Sequence, residues 1–194
     1  MTARLTWICH AATAAVRGAA FPADEPIEAR GLAAARALAP RLPHADRAWA
    51  SPLLRAQETA IALGLAAVPE AALRECDHGR WAGRTLAAVS ADEPEAFAQW
   101  VADPSSAPHG GETLVHLLQR VGIWLDQQRE ATGTTTIVTH AAVIRAAVVH
   151  ALSAPPRSFW RLDVAPLSLT RLSWAGDHWR LSSLGPAHPG AADG

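Results

Sequence analysis

The amino-acid sequence predicts an α/β protein with three layers, in which helices cover both faces of a mostly parallel central sheet. Short apolar runs typical of buried strands alternate along the chain with longer stretches whose apolar residues recur at helical spacing. Two of the short runs end on a histidine, His10 and His140. The length of 194 residues suits one domain, which we expect to span residues 1–185.

The first quarter of the chain predicts two strands separated by a loop and a helix. An apolar run that begins at Leu5 and stops at the Cys9-His10 pair predicts a buried strand. Residues 11–27 lack a clear period and are interpreted as a long loop over the end of this strand. Apolar residues at helical spacing predict a helix over residues 28–42, and a short strand follows at residues 47–50.

The next part of the chain is expected to carry a helix, a third strand and a second, shorter helix. Ser51 and Pro52 are suited to the N-cap and the first helical position, which predicts a helix over residues 53–63. Residues 73–76 are interpreted as a strand, and a capping-box pattern at residues 90–93 predicts the start of a short helix. The helix at residues 53–63 therefore begins beside the carboxyl ends of the strands.

The second half of the chain repeats the pattern of a strand that ends on a histidine. Leucine and valine side chains predict an amphipathic helix over residues 114–131. A β-branched run at residues 134–139 predicts a buried strand before His140, and an apolar helix continues through Leu152. The remaining predicted strands, of which the last two form a hairpin, lie at residues 158–164, 167–174 and 178–184. Residues 186–194 have little to bury and are expected to form a flexible tail.

The composition excludes several classes of protein. With 49% hydrophobic residues, 18% charged residues and a net charge of −1, the chain has no basic field that would attract nucleic acid. No apolar stretch approaches the length of a membrane-spanning helix. Cys9 and Cys76 form neither a disulfide framework nor a Cys-x-x-Cys pair, which favours a reducing compartment. We therefore expect a cytoplasmic protein that binds neither nucleic acid nor a membrane.

One edge of the predicted sheet collects side chains suited to phosphate. Because the carboxyl ends of parallel strands meet at one edge, His10 and His140 are expected to lie close together. Arg55 belongs to the helix that starts just after another strand. A guanidinium binds phosphate oxygens in pairs, and a helix N-terminus adds oriented N–H donors. Taken singly, these side chains also fit structural roles, as buried histidines bonded to the backbone and a surface arginine.

Several segments in a fixed order resemble the histidine phosphatase superfamily, the phosphoglycerate mutase-like group. Their order and spacing are more specific than any one segment. The segments are Cys9-His10-Ala11-Ala12-Thr13, Ser51-Pro52-Leu53-Leu54-Arg55-Ala56-Gln57-Glu58-Thr59-Ala60, Leu73-Arg74-Glu75, Gly79-Arg80-Trp81-Ala82-Gly83, Gly110-Gly111-Glu112-Thr113 and Val138-Thr139-His140-Ala141-Ala142-Val143-Ile144-Arg145. Within the group, the third to fifth segments and Phe159-Trp160-Arg161-Leu162 look most like the α-ribazole phosphatases.

The resemblance implies a phosphoglycerate mutase-like fold and hydrolysis of a small phosphate monoester through a phosphohistidine, without a cofactor or a metal. His10 aligns with the nucleophile, and Glu75 with the acid that protonates the leaving oxygen and later activates water. Arg55 and His140 align with groups that hold the phosphoryl oxygens, and Thr13 is expected beside the phosphate. Phosphoryl transfer needs mainly positioning and positive charge around these oxygens, which agrees with the assigned roles.

The first motif departs from the family pattern at the place where the chemistry occurs. The family carries Arg-His-Gly, and this chain carries Cys9-His10-Ala11. An arginine at a phosphoryl-transfer transition state can be worth roughly 10³- to 10⁵-fold in rate, and the thiol of Cys9 cannot replace it. Ala11 is expected to restrict positive φ beside the phosphate. Arg17, on the predicted loop, either turns into the pocket and binds phosphate or is a solvated loop arginine.

Two functions from different classes follow from this mixture of intact and altered positions. The intact histidines, Arg55 and Glu75 favour a working phosphatase with an atypical phosphate pocket. Cys9 and Ala11 favour a catalytically impaired pseudo-phosphatase that binds an anionic metabolite or a protein partner. A third interpretation, in which His10 activates Cys9 as a reactive thiol, needs an accessible sulfur with a lowered pKa, and burial in a strand opposes it.

Three further expectations concern the surroundings of the pocket. One alternative is a zinc site, although the spacing of the residues does not require it. Its ligands would be His10, His140, Cys9, Cys76 and His78. Residues 84–113 are expected to form a cap over the pocket, and its candidate lining groups are Phe97, Trp100 and His109. A strand at the sheet edge in the last third of the chain can pair two copies, which allows a homodimer.

Overall fold

Six strands form one sheet within residues 3–185, which are the residues described by the structure, a computed structural model. The strands are β1 (Arg4–Cys9), β2 (Arg47–Ala50), β3 (Val68–Pro69), β4 (Thr134–Thr139), β5 (Leu169–Trp174) and β6 (Trp179–Gly185). They lie in the order β3-β2-β4-β1-β5-β6. The first four strands run parallel, and β5 is antiparallel to both β1 and β6. The predicted mostly parallel sheet and the final hairpin are therefore confirmed.

Helices pack against both faces of this sheet. The α-helices among the described residues are α1 (Ala14–Arg17), α2 (Ala29–Leu38), α3 (Leu54–Ala62), α4 (Leu86–Asp92), α5 (Pro94–Ala102), α6 (Leu114–Gln127) and α7 (Ala141–Ala151). Short 3-10 helices lie at Ala39–Arg41, Ala71–Leu73, Gly79–Trp81 and Pro156–Arg161. No helix within residues 3–185 combines the length and the apolar character needed to cross a bilayer.

Successive side chains of β1 point to opposite faces of the sheet and so belong to two separate apolar cores. Trp7 lies in the core that includes Leu117 of α6 and Ile144 of α7. The next residue, Ile8, lies in the core that includes Ala35 of α2 and Ala56 of α3. Each face of the sheet thus has its own helical layer, which confirms the predicted three-layer α/β/α architecture.

The register of β1 against β4 sets the position of the two histidines. Cys9 pairs with Thr139 at the last position of both strands. The next residues, His10 and His140, therefore leave the sheet at the same level. The His10 N–H also donates to the Thr139 carbonyl oxygen at 2.8 Å, which continues the ladder by one residue.

The region predicted to be a cap contains α4 and α5 and packs on an aromatic cluster. Phe21, Trp81 and Val89 are its buried members. Phe97 and Trp100 pack against them, with ring centroids 5.7 Å apart, and the Trp81 ring lies 5.1 Å from the His109 ring. These aromatic groups therefore bury one another, which explains why the cavity described below is lined by other residues.

Several predicted element boundaries are wrong, each for a local reason. Residues 73–76 are not a strand, because Leu73 is the last residue of a 3-10 turn capped by the Glu70 side chain, and the strand of this region is the two-residue β3. Residues 158–164 begin inside a 3-10 helix that Pro156 starts, since proline suits the first turn of a helix. The predicted loop at residues 11–27 contains α1.

The predicted helix starts in two other places also differ. Thr85, rather than a capping box at residues 90–93, caps α4 by accepting from the Ala88 N–H, and Pro94 then starts α5. In α3 the N-cap position belongs to Leu53, so Ser51 lies outside the helix. The predicted tail at residues 186–194 lies outside the described residues.

Candidate active site

His10 and His140 lie side by side just beyond the carboxyl ends of β1 and β4. Their ring centroids are 5.2 Å apart, and both side chains are buried. This is the juxtaposition expected from two parallel strands that each end on a histidine. At this distance and an interplanar angle of 61°, the edge of one ring contacts the other ring.

The hydrogen bonds of His10 define which of its nitrogens can react. Nδ1 lies 2.8 Å from the Ala11 carbonyl oxygen, which can only accept, so Nδ1 carries the proton. Nε2 is left with a lone pair, toward which Arg55 Nε donates at 3.3 Å. Burial, and secondly the positive charge of Arg55, lower the pKa of His10 to about 4. His10 is therefore a neutral imidazole with its nucleophilic lone pair facing the site.

Arg55 is the fully buried cation of the site. It lies in the first turn of α3, and its Nη1 donates to the Ala23 carbonyl oxygen at 2.6 Å. Nη2 lies 3.5 Å from Glu75 Oε2, and Nη1 lies 3.9 Å from Glu25 Oε2. One guanidinium thus faces two carboxyl groups as well as His10, so it is not a surface arginine.

Glu75 contacts both Arg55 and His140. Its Oε2 lies 3.7 Å from His140 Nδ1, and its Oε1 accepts from the Cys76 N–H at 3.0 Å. Burial raises the pKa of Glu75 above the usual range, although the charge of Arg55 opposes this effect. A carboxyl group with a raised pKa can hold a proton and release it to a leaving oxygen. Glu75 pairs with Arg55, not with Arg74 or Arg80.

His140 forms a hydrogen bond with the hydroxyl group of Ser51, a residue for which the sequence predicts only a role as a helix cap. Ser51 Oγ lies 2.7 Å from His140 Nε2 and accepts from the Leu53 N–H at 3.3 Å. His140 Nδ1 is buried and has no hydrogen-bond partner. Burial and the charge of Arg55 hold the pKa of His140 well below its ordinary value, so this ring is also neutral.

A cavity of about 550 Å³ opens beside this group. Arg55 and Glu75 are among its lining residues, whereas His10 and His140 are not. Each histidine contacts one of these two lining residues, since Arg55 bonds to His10 and Glu75 lies 3.7 Å from His140. The other lining residues are Pro22, Ala23, Asp24, Leu53, Ala71, Arg74, Cys76, Asp77, His78, Ala82, Glu112 and Arg120. Arg120 forms a two-pronged ion pair with Glu112, with nitrogen–oxygen distances of 2.9 and 2.7 Å. The cavity can hold the leaving group of a small substrate.

Thr13 and Arg17, predicted to bind phosphate, have other partners in the structure. The Thr13 hydroxyl donates to Glu25 Oε1 at 3.0 Å and caps α1 by accepting from the Val16 N–H. The Arg17 side chain is 73% exposed and pairs with Glu28 at 2.7 Å. Because α1 turns Arg17 toward solvent, it does not supply the charge that the altered motif lacks.

Cys9 is part of the apolar core, not of the polar cluster. It is 2% exposed, and burial together with the charge of Glu75 raises the pKa of its thiol to about 12. The sulfur is therefore a neutral thiol. This excludes the activated thiolate considered from the sequence, because such a group needs a lowered pKa and an accessible sulfur.

Ala11 fits its position without backbone strain. The non-glycine residues with positive φ among the described residues are Ala19, Ser153 and Leu167, so the expected conflict at Ala11 does not arise. The Ala11 N–H donates to Thr59 Oγ1 at 3.0 Å. Gly31 of α2 makes room for the alanine, since a Cβ at Gly31 would lie 3.3 Å from the Ala11 Cβ.

Sequence reasoning missed three groups that shape the site. Glu25 lies in the segment interpreted as a featureless loop, yet it faces Arg55. Thr59 follows Arg55 by one helical turn and anchors the Ala11 backbone, a role that its place in the Arg-Ala-x-x-Thr segment could have indicated. Gly31 lies inside α2, where glycine lowers helix stability. A glycine at such a position indicates that a neighbouring segment packs closely against the helix.

One group of side chains in the described part of the chain could hold a metal ion. The ligand atoms of His10, Glu75 and His140 all lie within 4.8 Å of one another. The cysteines do not belong to this group. The mixed sulfur and nitrogen zinc site considered from the sequence is therefore not formed.

The sequence profile of the Histidine phosphatase superfamily (branch 1) matches residues 5–186. The chain belongs to the histidine phosphatase superfamily. It is 32% identical to Phosphoserine phosphatase 1 of Hydrogenobacter thermophilus, over 71% of this chain and 69% of the relative. It is also 32% identical to Glucosyl-3-phosphoglycerate phosphatase of Mycolicibacterium vanbaalenii, over 79% of this chain and 81% of the relative.

The fold is shared with solved structures of this superfamily. The α-ribazole phosphatase from Shigella flexneri superposes with a TM-score of 0.86 at 24% identity, covering 98% of this chain and 100% of that one. This likeness confirms the phosphoglycerate mutase-like fold. The chain is therefore a phosphatase, because it belongs to this superfamily and its relatives are named as phosphatases.

Proposed function

We propose that this histidine phosphatase hydrolyses a small phosphate monoester through a phosphohistidine on His10. The observation that carries the proposal is the neutral His10 ring, whose unprotonated Nε2 accepts a hydrogen bond from the Arg55 guanidinium at 3.3 Å. A nucleophile and a cation for the phosphoryl oxygens are thus in contact. Glu75, with its raised pKa, supplies a proton donor within the same cluster.

The reaction has two steps on these groups. In the first, the Nε2 lone pair of His10 attacks phosphorus, the bond to the ester oxygen breaks, and the Glu75 carboxyl protonates that oxygen. In the second, the Glu75 carboxylate takes a proton from water, whose oxygen attacks phosphorus while the P–N bond breaks. Arg55 and His140 face the phosphoryl oxygens in both steps. Arg55 supplies the fixed positive charge that stabilises the transition state, and the neutral His140 ring can contribute only a hydrogen bond.

The charges of the cluster make this phosphate pocket atypical. Among the residues that the structure describes, Arg55 is the one buried cation beside His10, and it already faces Glu25 and Glu75. A phosphate dianion therefore binds best when Glu75 is protonated, which removes one negative charge. Burial favours that protonated form. The same proton that lets the anion bind is then available for the leaving oxygen.

The substrate class follows from the cavity and from the relatives. A cavity of about 550 Å³ admits a leaving group the size of a metabolite, and its wall carries charged side chains of both signs. The relatives are named for phosphoserine and glucosyl-3-phosphoglycerate. We therefore propose a small phosphorylated metabolite with a polar leaving group as the substrate of this chain.

Steady-state hydrolysis of p-nitrophenyl phosphate, with a chelator present, tests the proposal. We expect turnover by the wild-type chain and a loss of at least about 10³-fold in His10→Asn, because the nucleophile is removed. His116→Asn, an exposed change on α6, is the control and should keep full activity. If the wild-type chain does not turn over while inorganic phosphate still raises its melting temperature, the alternative of a pseudo-phosphatase that binds anions is supported instead.

A further inference from the structure

A second kind of ligand suits the side chains that form the catalytic cluster. We propose that His10, Glu75 and His140 also bind a divalent cation of the Zn²⁺ type, and that this cation blocks the enzyme. The binding itself does not depend on the proposed function. The inhibition rests on the proposed function, because it acts through the His10 nucleophile.

The three donor groups are close enough to share one ion. Their ligand atoms lie within 4.8 Å of one another, and His140 Nδ1 is 3.7 Å from Glu75 Oε2. Zinc binds imidazole nitrogen and carboxylate oxygen at about 2.0–2.2 Å, so atoms that share one ion are about 3.3 Å apart. The cluster needs to contract by only about 1–1.5 Å, which small side-chain rotations can provide.

Each imidazole offers one ring nitrogen to this centre. The Ala11 carbonyl oxygen fixes the proton of His10 on Nδ1, so the lone pair is on Nε2. An ion that ligates Nε2 replaces the hydrogen bond that Arg55 Nε donates there at 3.3 Å. Ser51 occupies Nε2 of His140, and the remaining Nδ1 is buried without a partner. Such outer contacts orient histidine ligands in metal sites. A cation would satisfy the unpartnered nitrogen, whose burial otherwise costs free energy.

The charge of the cluster favours a cation. Arg55 carries one positive charge and faces the carboxyl groups of Glu25 and Glu75. A bound cation displaces the proton that burial favours on Glu75, so the carboxylate then offsets part of the added charge. Glu25 Oε2 is buried without a hydrogen-bond partner. The family pattern places a second arginine at position 9, where this chain has a neutral thiol. Losing that cation removes a repulsion that would oppose a dication at the histidines.

The donor set selects the type of metal. Two imidazoles and one carboxylate suit Zn²⁺ and similar transition-metal ions, whereas Mg²⁺ and Ca²⁺ prefer sites made of oxygen. Three protein ligands leave a fourth position for water or phosphate. An ion here engages the Nε2 lone pair of His10. The nucleophile is then unavailable, and hydrolysis stops.

Calorimetric titration of metal-free protein with Zn²⁺ tests the binding directly. We expect one ion per chain, and an affinity at least tenfold lower in His140→Gln and in Glu75→Gln, since each variant loses a ligand. His116→Gln on the exposed side of α6 and Cys76→Ser are controls that should bind as the wild type does. Unfolding curves of each variant show that the fold is kept.

Titration with Co²⁺ identifies the ligands by a second signal. A site made of nitrogen and oxygen should give visible d–d bands without a thiolate-to-metal charge-transfer band. Zn²⁺ affinity that is unchanged in both ligand variants, or a charge-transfer band that disappears in Cys76→Ser, would overturn the proposal. Because neither titration measures turnover, a chain without phosphatase activity can still show this site.

Discussion

At the scale of single residues, we expect position 9 to determine how strongly the site binds anions. A neutral, buried thiol stands where the family pattern has arginine, and Arg17, which pairs with Glu28 at the surface, does not restore the charge. The cluster keeps the proposed nucleophile and proton donor, but within residues 3–185 its one buried cation, Arg55, faces two carboxyl groups. The rate of phosphoryl transfer should therefore be limited by missing positive charge.

The variant Cys9→Arg tests this limit. An added guanidinium at the sheet edge should raise kcat/KM about tenfold or more, which is a fraction of the 10³- to 10⁵-fold that a well-placed arginine can supply. It should also tighten inhibition by inorganic phosphate and weaken Zn²⁺ binding. Steady-state kinetics measures the first two effects, and Cys9→Ser is the uncharged control. Equal activity of the two folded variants would show that charge at position 9 does not limit the rate.

Glu75→Gln separates proton donation from the other steps. The amide keeps the shape of the side chain but cannot release a proton, so kcat should fall about 10²- to 10⁴-fold for an alkyl phosphate. The loss should be smaller for p-nitrophenyl phosphate, because nitrophenolate leaves without being protonated. The ratio of the two losses is the measurement. Equal losses for both esters would contradict the role of Glu75 as the acid.

At the scale of elements, α2 holds the segment that orients His10. A Cβ added at Gly31 would lie 2.7 Å from the Ala12 carbonyl oxygen. The Glu28 N–H donates to the same oxygen at 3.0 Å. The preceding carbonyl, that of Ala11, fixes the proton on His10. The position of α2 is thus connected to His10, the proposed nucleophile, through two residues of backbone.

Gly31→Ala should therefore affect both stability and catalysis. Overpacking should cost about 1–3 kcal/mol of unfolding free energy, and displacement of the Ala11 carbonyl should lower kcat about 10- to 100-fold. Gly122→Ala on α6 is the matched control, because its Cβ would lie 2.5 Å from His150 Nδ1, away from the site. Urea unfolding and kinetics measure both effects. A loss of kcat of the same size in Gly122→Ala would argue against the link through α2.

Periodicity predicted the long elements and failed at the short ones. The spacing of apolar residues located β1, β4, α6 and α7, because each buries one continuous face or run. The segments at residues 73–76 and 158–164 also contain buried apolar side chains. The backbone that carries these side chains forms 3-10 turns and extended segments, not strands. Local hydrogen bonds and proline, not the hydrophobic period, determine those shapes.

At the scale of the whole molecule, buried neutral histidines make the fold sensitive to acid. Burial lowers the pKa of His10 and of His78 to about 4, and that of His140 well below its ordinary value. The unfolded chain binds protons at these histidines near pH 6.5, so it binds more protons than the native state between pH 6.5 and 4. The free energy of unfolding should therefore fall as the pH decreases through this range.

His78 provides the test of this acid sensitivity. Its ring contacts Phe21 and Trp100, and the ionisable groups that act on it are His109, Asp77 and Arg55. A shift from 6.5 to about 4 corresponds to about 3 kcal/mol of unfolding free energy at low pH. Urea unfolding at pH 7 and at pH 4.5 should show a smaller loss in His78→Gln than in the wild type. The same loss in both proteins would contradict the assignment.

The catalytic cluster was predictable from the sequence as a set of residues but not as a geometry. Two strands ending on histidine, and the segment that contains Arg55, indicated which side chains meet. The contacts of Glu25 with Arg55 and of Ser51 with His140 depend on loops without a period. The orientation of Arg17 depends on α1, a four-residue helix with no apolar face. Short local structure therefore decides the charge balance of the site.

The most direct test of the account is rapid-quench trapping of the reaction with a ³²P-labelled phosphomonoester. If His10 is the nucleophile, the wild-type chain should carry an acid-labile phosphoryl group, which peptide mapping places on His10. The label should be absent from His10→Asn and should persist longer in Glu75→Gln, where water is not activated. Turnover without a labelled intermediate, or a label on a residue other than His10, would contradict it.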